Sequence, residues 1–235
     1  MACILHIETS TKVCSVALSE NGACIYDDAD FDGPNHAVRC GVMVEEALSF
    51  ANSHAIPVDA VAVSEGPGSY TGLRIGYSMA KGVAYGYGIP LIALPTLEVL
   101  SVPVLLSAEL SEEIPVSPLL VPMIDARRME VYAAVYDRSL KVVRPIAADI
   151  VDANTYREYL DRGPVYFYGD GAEKTKTVIQ HPNAHYIDGV NPLAKYMFPL
   201  AERRFVRQEF ADVAYSEPFY LKDFIAIKPK NVLSL

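Results

Sequence analysis

A glycine-rich run, Ser64-Glu-Gly-Pro-Gly-Ser-Tyr-Thr-Gly-Leu-Arg74, is the stretch of this sequence whose composition first suggests chemistry. Gly66, Gly68 and Gly72 allow a tight turn, and amides at a following helix start make an anion site. The run lacks the lysine of a Gly-x4-Gly-Lys-Ser/Thr phosphate loop. Its third glycine comes one residue too late for a dinucleotide fingerprint. A phosphate site and a structural or partner-docking turn both remain open, with Gly66, Gly68, Gly72 and Arg74 as its defining residues. Glu8, ending the first expected strand, is the one acid placed to serve as a catalytic carboxylate. His181 and His185 have the spacing that suits a metal on a helix, but Pro182 and Asn183 favour a turn there. His36, beside Asn35, is expected to cap a helix or touch a partner. Asp125-Ala-Arg127-Arg128 reads as an ion-paired turn, and Gly169-Asp-Gly171 as a turn after a strand.

These residues must be positioned by an α/β chain. Strands are expected at Cys3–Glu8, Val13–Ser19 and Ala23–Asp30, the last two joined by Asn21-Gly22, a strong hairpin signal. A helix at about Asn35–His54, a strand at Ala60–Ser64, a helix at about Leu73–Tyr87, a strand at Pro90–Leu94 and a helix at about Thr96–Leu106 follow. Ser107–Pro118 reads as an exposed linker. The pattern then partly repeats, with strands at Leu119–Asp125, Glu130–Tyr136, Lys141–Ile150, Val165–Tyr168 and Ala184–Ile187. Helices are expected at Ala153–Arg162, Glu173–Gln180 and Leu193–Arg207, the last kinked by Pro199. Two halves each begun by three strands imply a duplicated fold with domains at residues 1–106 and 107–235.

The 235 residues are 51% hydrophobic and 21% charged, which is globular composition, and the formal charge of −9 opposes autonomous binding to RNA. Lys222, Lys228 and Lys230 form a basic cluster that reads as a solvated tail or a local patch. The start of the chain lacks the pattern of a signal peptide. Val83–Leu106 is interrupted by Gly86, Gly88, Pro90, Pro95, Glu98 and Pro103, which excludes a membrane span there. Cys3, Cys14, Cys24 and Cys40 form no Cys-x-x-Cys pair, so reduced, mostly buried thiols in the cytoplasm are expected.

The first two helices are unusual. Apolar side chains nearly surround residues 37–51, and Ile75, Met79, Val83 and Tyr87 form a stripe on the second helix beside Gly76 and Gly82. A glycine inside a helix costs about 1 kcal/mol relative to alanine, so something close should pack there. Both helices are either buried in one core or face the core on one side and a second protein on the other. Val38, Val42, Leu48, Ile75, Met79, Val83 and Tyr87 are the candidate anchors.

The segments Ile7-Glu8-Thr9-Ser10, Cys14-Ser15-Val16-Ala17-Leu18, Asn35-His36, Gly66–Gly76, Ile124-Asp125-Ala126-Arg127, Glu130-Val131-Tyr132 and Glu217-Pro218-Phe219-Tyr220-Leu221 together resemble the TsaB/YeaZ family. Met129 departs from the glycine that relatives often place in the strand-joining turn. The resemblance implies two actin-like (ASKHA, ribonuclease H-like) domains and a non-catalytic role in forming N6-threonylcarbamoyladenosine at position 37 of tRNAs that read ANN codons. It implies docking of the transferase TsaD through the two helices, recruitment of the ATPase TsaE through that complex, a possible homodimer through the same helices, and tRNA contact only within the complex. TsaD-type relatives carry a metal-binding His-x3-His pair after the strand matching Pro90–Leu94. Thr96 and Leu100 stand there in this sequence, and neither can replace imidazole. No cofactor or metal of its own is expected. The alternative is an actin-like kinase or ATPase using Glu8, the Thr9–Lys12 turn and the Gly66–Gly72 loop.

Overall fold

The computed structural model of the chain describes residues 2–33, 35–107 and 118–222. The expected linker, apart from its ends, lies outside these residues, as do Lys228 and Lys230. Two five-stranded sheets form the framework. The first contains β1 (Cys3–Glu8), β2 (Cys14–Glu20), β3 (Ala23–Asp30), β4 (Ala60–Gly66) and β5 (Leu91–Pro95) in the order β3-β2-β1-β4-β5. The second contains β6 (Leu119–Asp125), β7 (Glu130–Tyr136), β8 (Val142–Ile150), β9 (Val165–Tyr168) and β10 (Ala184–Ile187) in the order β10-β9-β6-β7-β8. Each sheet is an antiparallel three-strand meander followed by two parallel strands on the side of its first strand. The duplication read from the sequence is the actin-like arrangement.

Alternation along β1 explains how the first sheet is clothed. Leu5 and Ile7 join a core with Val16, Leu18, Val61 and Val63, covered by α1 (His36–Ser53) and α2 (Tyr70–Tyr87). Ile4 faces the other way, with Ala17, Ala60, Ala62, Ile92 and Leu94, under α3 (Thr96–Leu105). Helices on both faces leave β1 wholly buried. His6, at its centre, is fully buried, with Nε2 hydrogen-bonded to Ser19 Oγ at 2.7 Å and Nδ1 without a partner among the described residues. Burial lowers its pKa to about 3, so the ring is neutral.

The second half departs from expectation in its helices. Of Ala153–Arg162 only α4 (Arg157–Leu160) is α-helical: the Asp152 carboxylate accepts from the amides of Asn154 and Thr155 and starts a turn, but Tyr156 at φ +69° interrupts it before the helix. Of Glu173–Gln180 only a 3-10 turn, Glu173–Thr175, forms. Pro199 kinks nothing: it stands in the first turn of α5 (Phe198–Val206), where its missing N–H costs no bond, after a separate 3-10 turn at Ala194–Tyr196. The first sheet ends with β5 at Pro95 and the second begins with β6 at Leu119. The chain after residue 193, assigned with the second half, packs on the first: Ala194, Met197, Leu200 and Ala201 complete the core around Ile4 and Ile92. Ala211 then bridges to Leu91 on β5. No helix among the described residues is long and apolar enough to cross a membrane.

Candidate functional site

The glycine loop enters α2 three residues earlier than the sequence suggests, because Ser69 caps the helix and its Oγ accepts from the Gly72 amide at 3.2 Å. The Ser69 amide donates to Ser10 O at 2.6 Å, and Thr9 Oγ1 donates to Gly72 O at 2.7 Å. The glycines make this contact possible. A Cβ at Gly68 would lie 2.4 Å from Ser10 O, one at Gly72 2.1 Å from Thr9 O, and one at Gly76 2.2 Å from Thr9 Oγ1. The loop is thus a joint seated against the β1–β2 turn, and the Ser69 and Gly72 amides that could face an anion are bonded within the chain. Gly66, at φ +118°, takes the C-terminal segment instead: a Cβ there would lie 2.5 Å from Phe219 O.

Glu8 does not face a cleft. It is fully buried, accepts from the Ser10 amide at 2.6 Å and from the Ser64 hydroxyl, and burial raises its pKa. An enclosed carboxyl of this kind ties β1 to β4 and is not placed to meet a substrate. The Gly169–Gly171 turn is packed in the same way, since a Cβ at Gly169 would lie 2.3 Å from Met123 O and Asp170 accepts the Asp125 amide at 2.9 Å. Asp125 is ion-paired with Lys174, while Arg127 and Arg128 are exposed at positive φ.

The residues at the expected metal positions do not fit a metal. Thr96 is fully buried with Oγ1 lacking a partner among the described residues, and Leu100 is core. His181 lies in a turn, where Nδ1 accepts the Asn183 amide, and His185 stacks on Tyr166 from β10. Among the described residues no three His, Cys, Asp or Glu side chains gather as a metal group. His36 neither caps nor faces outward: its Nε2 bonds Thr11 O at 2.8 Å and ties α1 to the β1–β2 turn.

The exposed chemistry lies on α1 and α2, which run side by side over the first sheet. Their inner faces are core: Cys40, Met43, Val44, Ala47 and Ala51 on one, Leu73, Tyr77, Ala80 and Ala84 on the other. Of the anticipated anchors, Val38 is 69% exposed, Tyr87 53% and Val42 37%. Leu48, Ile75 and Met79 are half-buried against the core, and Val83 belongs to it. Ile75, Met79, Val83 and Tyr87 line a groove of about 510 Å³ together with Ser78, Gly82 and Gly86. The stripe Ile75, Met79, Val83 and Tyr87 beside Gly82 pointed to this face in the sequence, whereas the spacing Gly82-x3-Gly86, a signal also present there, was missed. A Cβ at either glycine would meet no atom of the described residues within 4 Å.

The chain matches the family model described as TsaD: tRNA N6-adenosine threonylcarbamoyltransferase over residues 32–230. It is 29% identical over 233 residues, 96% of each chain, to the tRNA threonylcarbamoyladenosine biosynthesis protein TsaB of Escherichia coli. The chain belongs to the TsaD family, in its TsaB/YeaZ branch. A solved structure, YeaZ from Pseudomonas aeruginosa, superposes with a TM-score of 0.75 at 25% identity, covering 94% of this chain and 100% of that one. The tRNA N6-adenosine threonylcarbamoyltransferase of Bacillus thuringiensis is 35% identical over 107 residues, but these cover only 39% of this chain and 31% of that protein. The TsaB/YeaZ likeness therefore runs the length of the fold, whereas this transferase shares a part of it.

Proposed function

We propose that the chain is a non-catalytic subunit of the assembly that forms N6-threonylcarbamoyladenosine at position 37 of tRNAs reading ANN codons. In this reading it docks a TsaD-like transferase through α1 and α2 and supports recruitment of a TsaE-like ATPase to that complex. The reading implies a cytoplasmic chain that meets tRNA only within the assembly and forms a homodimer through the same helices when the transferase is absent. One observation carries it. Gly82 and Gly86 weaken α2 by about 1 kcal/mol each, yet nothing among the described residues approaches them. Glycines that serve packing within the chain, such as Gly72 and Gly76, have a neighbour a Cβ would strike. Close approach by a second protein gives Gly82 and Gly86 a comparable role, and the exposed Val38, Val42 and Tyr87 beside them supply apolar contact.

Co-purification with the transferase of the same organism, followed by assay of tRNA modification, tests this. Gly82→Leu fills the groove floor and should abolish both association and modification while leaving the chain folded. A variant that associates and supports modification like the parent would refute the docking role. The filled loop and buried Glu8 weigh against the kinase-type alternative. Calorimetry showing a micromolar Kd for Mg-ATP in the isolated chain would reverse that judgement.

A further inference from the structure

We infer that Arg74 is the charged anchor of the docking face and takes a carboxylate side chain of the docked transferase. This rests on the docking reading above. Residues 1–106 carry Lys12, Arg39, Arg74 and Lys81 as their cations. Arg39 pairs with Asp28 and Asp30 at 3.6 and 3.2 Å. Lys81 donates to Ala214 O and Ser216 O at 3.0 and 2.9 Å. Lys12 lies in the field of the half-closed Asp170. Arg74 is exposed and has no carboxylate partner among the described residues.

Its guanidinium is nevertheless held in place. Nη1 donates to Tyr70 Oη at 2.8 Å, and Cζ lies 5.3 Å from the Tyr70 ring centroid. The Tyr70 ring packs on Tyr220 at 4.9 Å between centroids, and Tyr220 is fixed by the preceding residue, whose amide donates to Glu65 O at 2.6 Å. Two distant parts of the chain thus orient one outward cation, which lowers the entropy lost when a partner binds it. The position suits the groove. Ile75 follows Arg74 directly, and Ser78 stands one turn on, both in the groove lining. An apolar channel with an oriented guanidinium at one end fits a helix with an apolar face and an Asp or Glu at the matching end. Arg and Tyr are the residue types that anchor protein interfaces. A guanidinium fork fits phosphate equally well, but the apolar lining and the formal charge of −9 favour a protein carboxylate over an RNA backbone.

The test measures binding of the organism's transferase to the parent, R74E, R74K and Y70F at low and at physiological salt, with G82L as reference. R74E should lose roughly tenfold or more in affinity, since a like-charge contact replaces the pair, at an unchanged melting midpoint. R74K should lose several-fold, because lysine lacks the fork, and Y70F should fall between R74K and the parent. The salt dependence of the parent should reverse in R74E, because screening relieves the like-charge contact that replaces the pair. If R74E keeps parental affinity and salt response while G82L fails to bind, the anchor is refuted and the docking reading stands. If G82L binds like the parent, both fall. If R74E holds the transferase normally but the complex retains tRNA less well, the guanidinium serves phosphate and the carboxylate assignment is overturned.

Discussion

Glycine-to-alanine changes on α2 should have opposite signs at two positions six residues apart. At Gly76 the new Cβ would lie 2.2 Å from Thr9 Oγ1, where real Cβ contacts essentially never come under 3.0 Å. Relief requires one of two movements. Turning Thr9 breaks its buried bond to Gly72 O, at 2.7 Å, for about 1–3 kcal/mol. Moving α2 off the sheet costs about 1–3 kcal/mol as overpacking. Either route gives a loss of roughly 1–3 kcal/mol, which corresponds to a midpoint lowered by about 2–12 °C in a chain of this size. At Gly82 the Cβ meets nothing within 4 Å, so alanine should add about 1 kcal/mol of helix stability and raise the midpoint by about 2–4 °C. The same G82A change should weaken association with the transferase. Scanning calorimetry of dilute monomer gives the first pair of values, and titration with transferase gives the second. A lowered midpoint for G82A, or unchanged affinity in it, would falsify the reasoning that its open space is reserved for a partner.

Three further outcomes follow from the packing. His6 is neutral in the fold to about pH 3, while an unfolded histidine takes a proton near 6.5. Acidification below about pH 6.5 therefore favours the unfolded state, by about 1.4 kcal/mol per pH unit from this group, and stability is regained as pH rises. Denaturant titrations at pH 7 and pH 5 should show a smaller difference in H6Q than in the parent, although Glu8, whose pKa is raised, works in the opposite direction in both proteins. V42E should leave the midpoint of dilute monomer nearly unchanged and abolish association, while M43E, which buries an unpaired charge, should fail to fold; equal behaviour of the two would contradict the assigned helix faces. K81M removes the contacts to Ala214 O and Ser216 O and should cost about 1–3 kcal/mol and speed proteolysis within residues 211–222; an unchanged cleavage rate would show that the lysine does not hold that segment.

Strand positions were legible because their signals are local. Asn21-Gly22 forces a hairpin, and β-type runs such as Val165–Tyr168 and Ala184–Ile187 appear where expected. The helices of the second half were not, because Ala153–Arg162 has helical composition, and nothing in the residue type of Tyr156 announces the left-handed conformation (φ +69°) that breaks it. Which faces of α1 and α2 meet solvent was illegible for another reason. With apolar residues all round, periodicity carries no phase, and only packing separates Val42 from Met43. The candidate site was half legible. Glycine cost pointed to close packing on α2, but sequence does not distinguish Gly76, filled by Thr9, from Gly82, filled by nothing among the described residues. Arg74 read as a loop residue because the Ser69 cap, which extends α2 backwards, leaves no periodic trace.

The return of residues 194–222 to the first sheet has a consequence for how the protein is made. When the first 106 residues have left the ribosome, Ile4, Ile92 and Leu94 still lack Met197, Leu200 and Ala201, which cover them in the finished molecule. Nearly a hundred residues must be synthesised before that face can close, so the lobe that emerges first is completed late. The second sheet, whose core draws on residues 119–186, can settle while the first waits. Vectorial synthesis and folding therefore run in different orders here, and the nascent first lobe presents a sticky face for which a holding chaperone is the natural temporary cover.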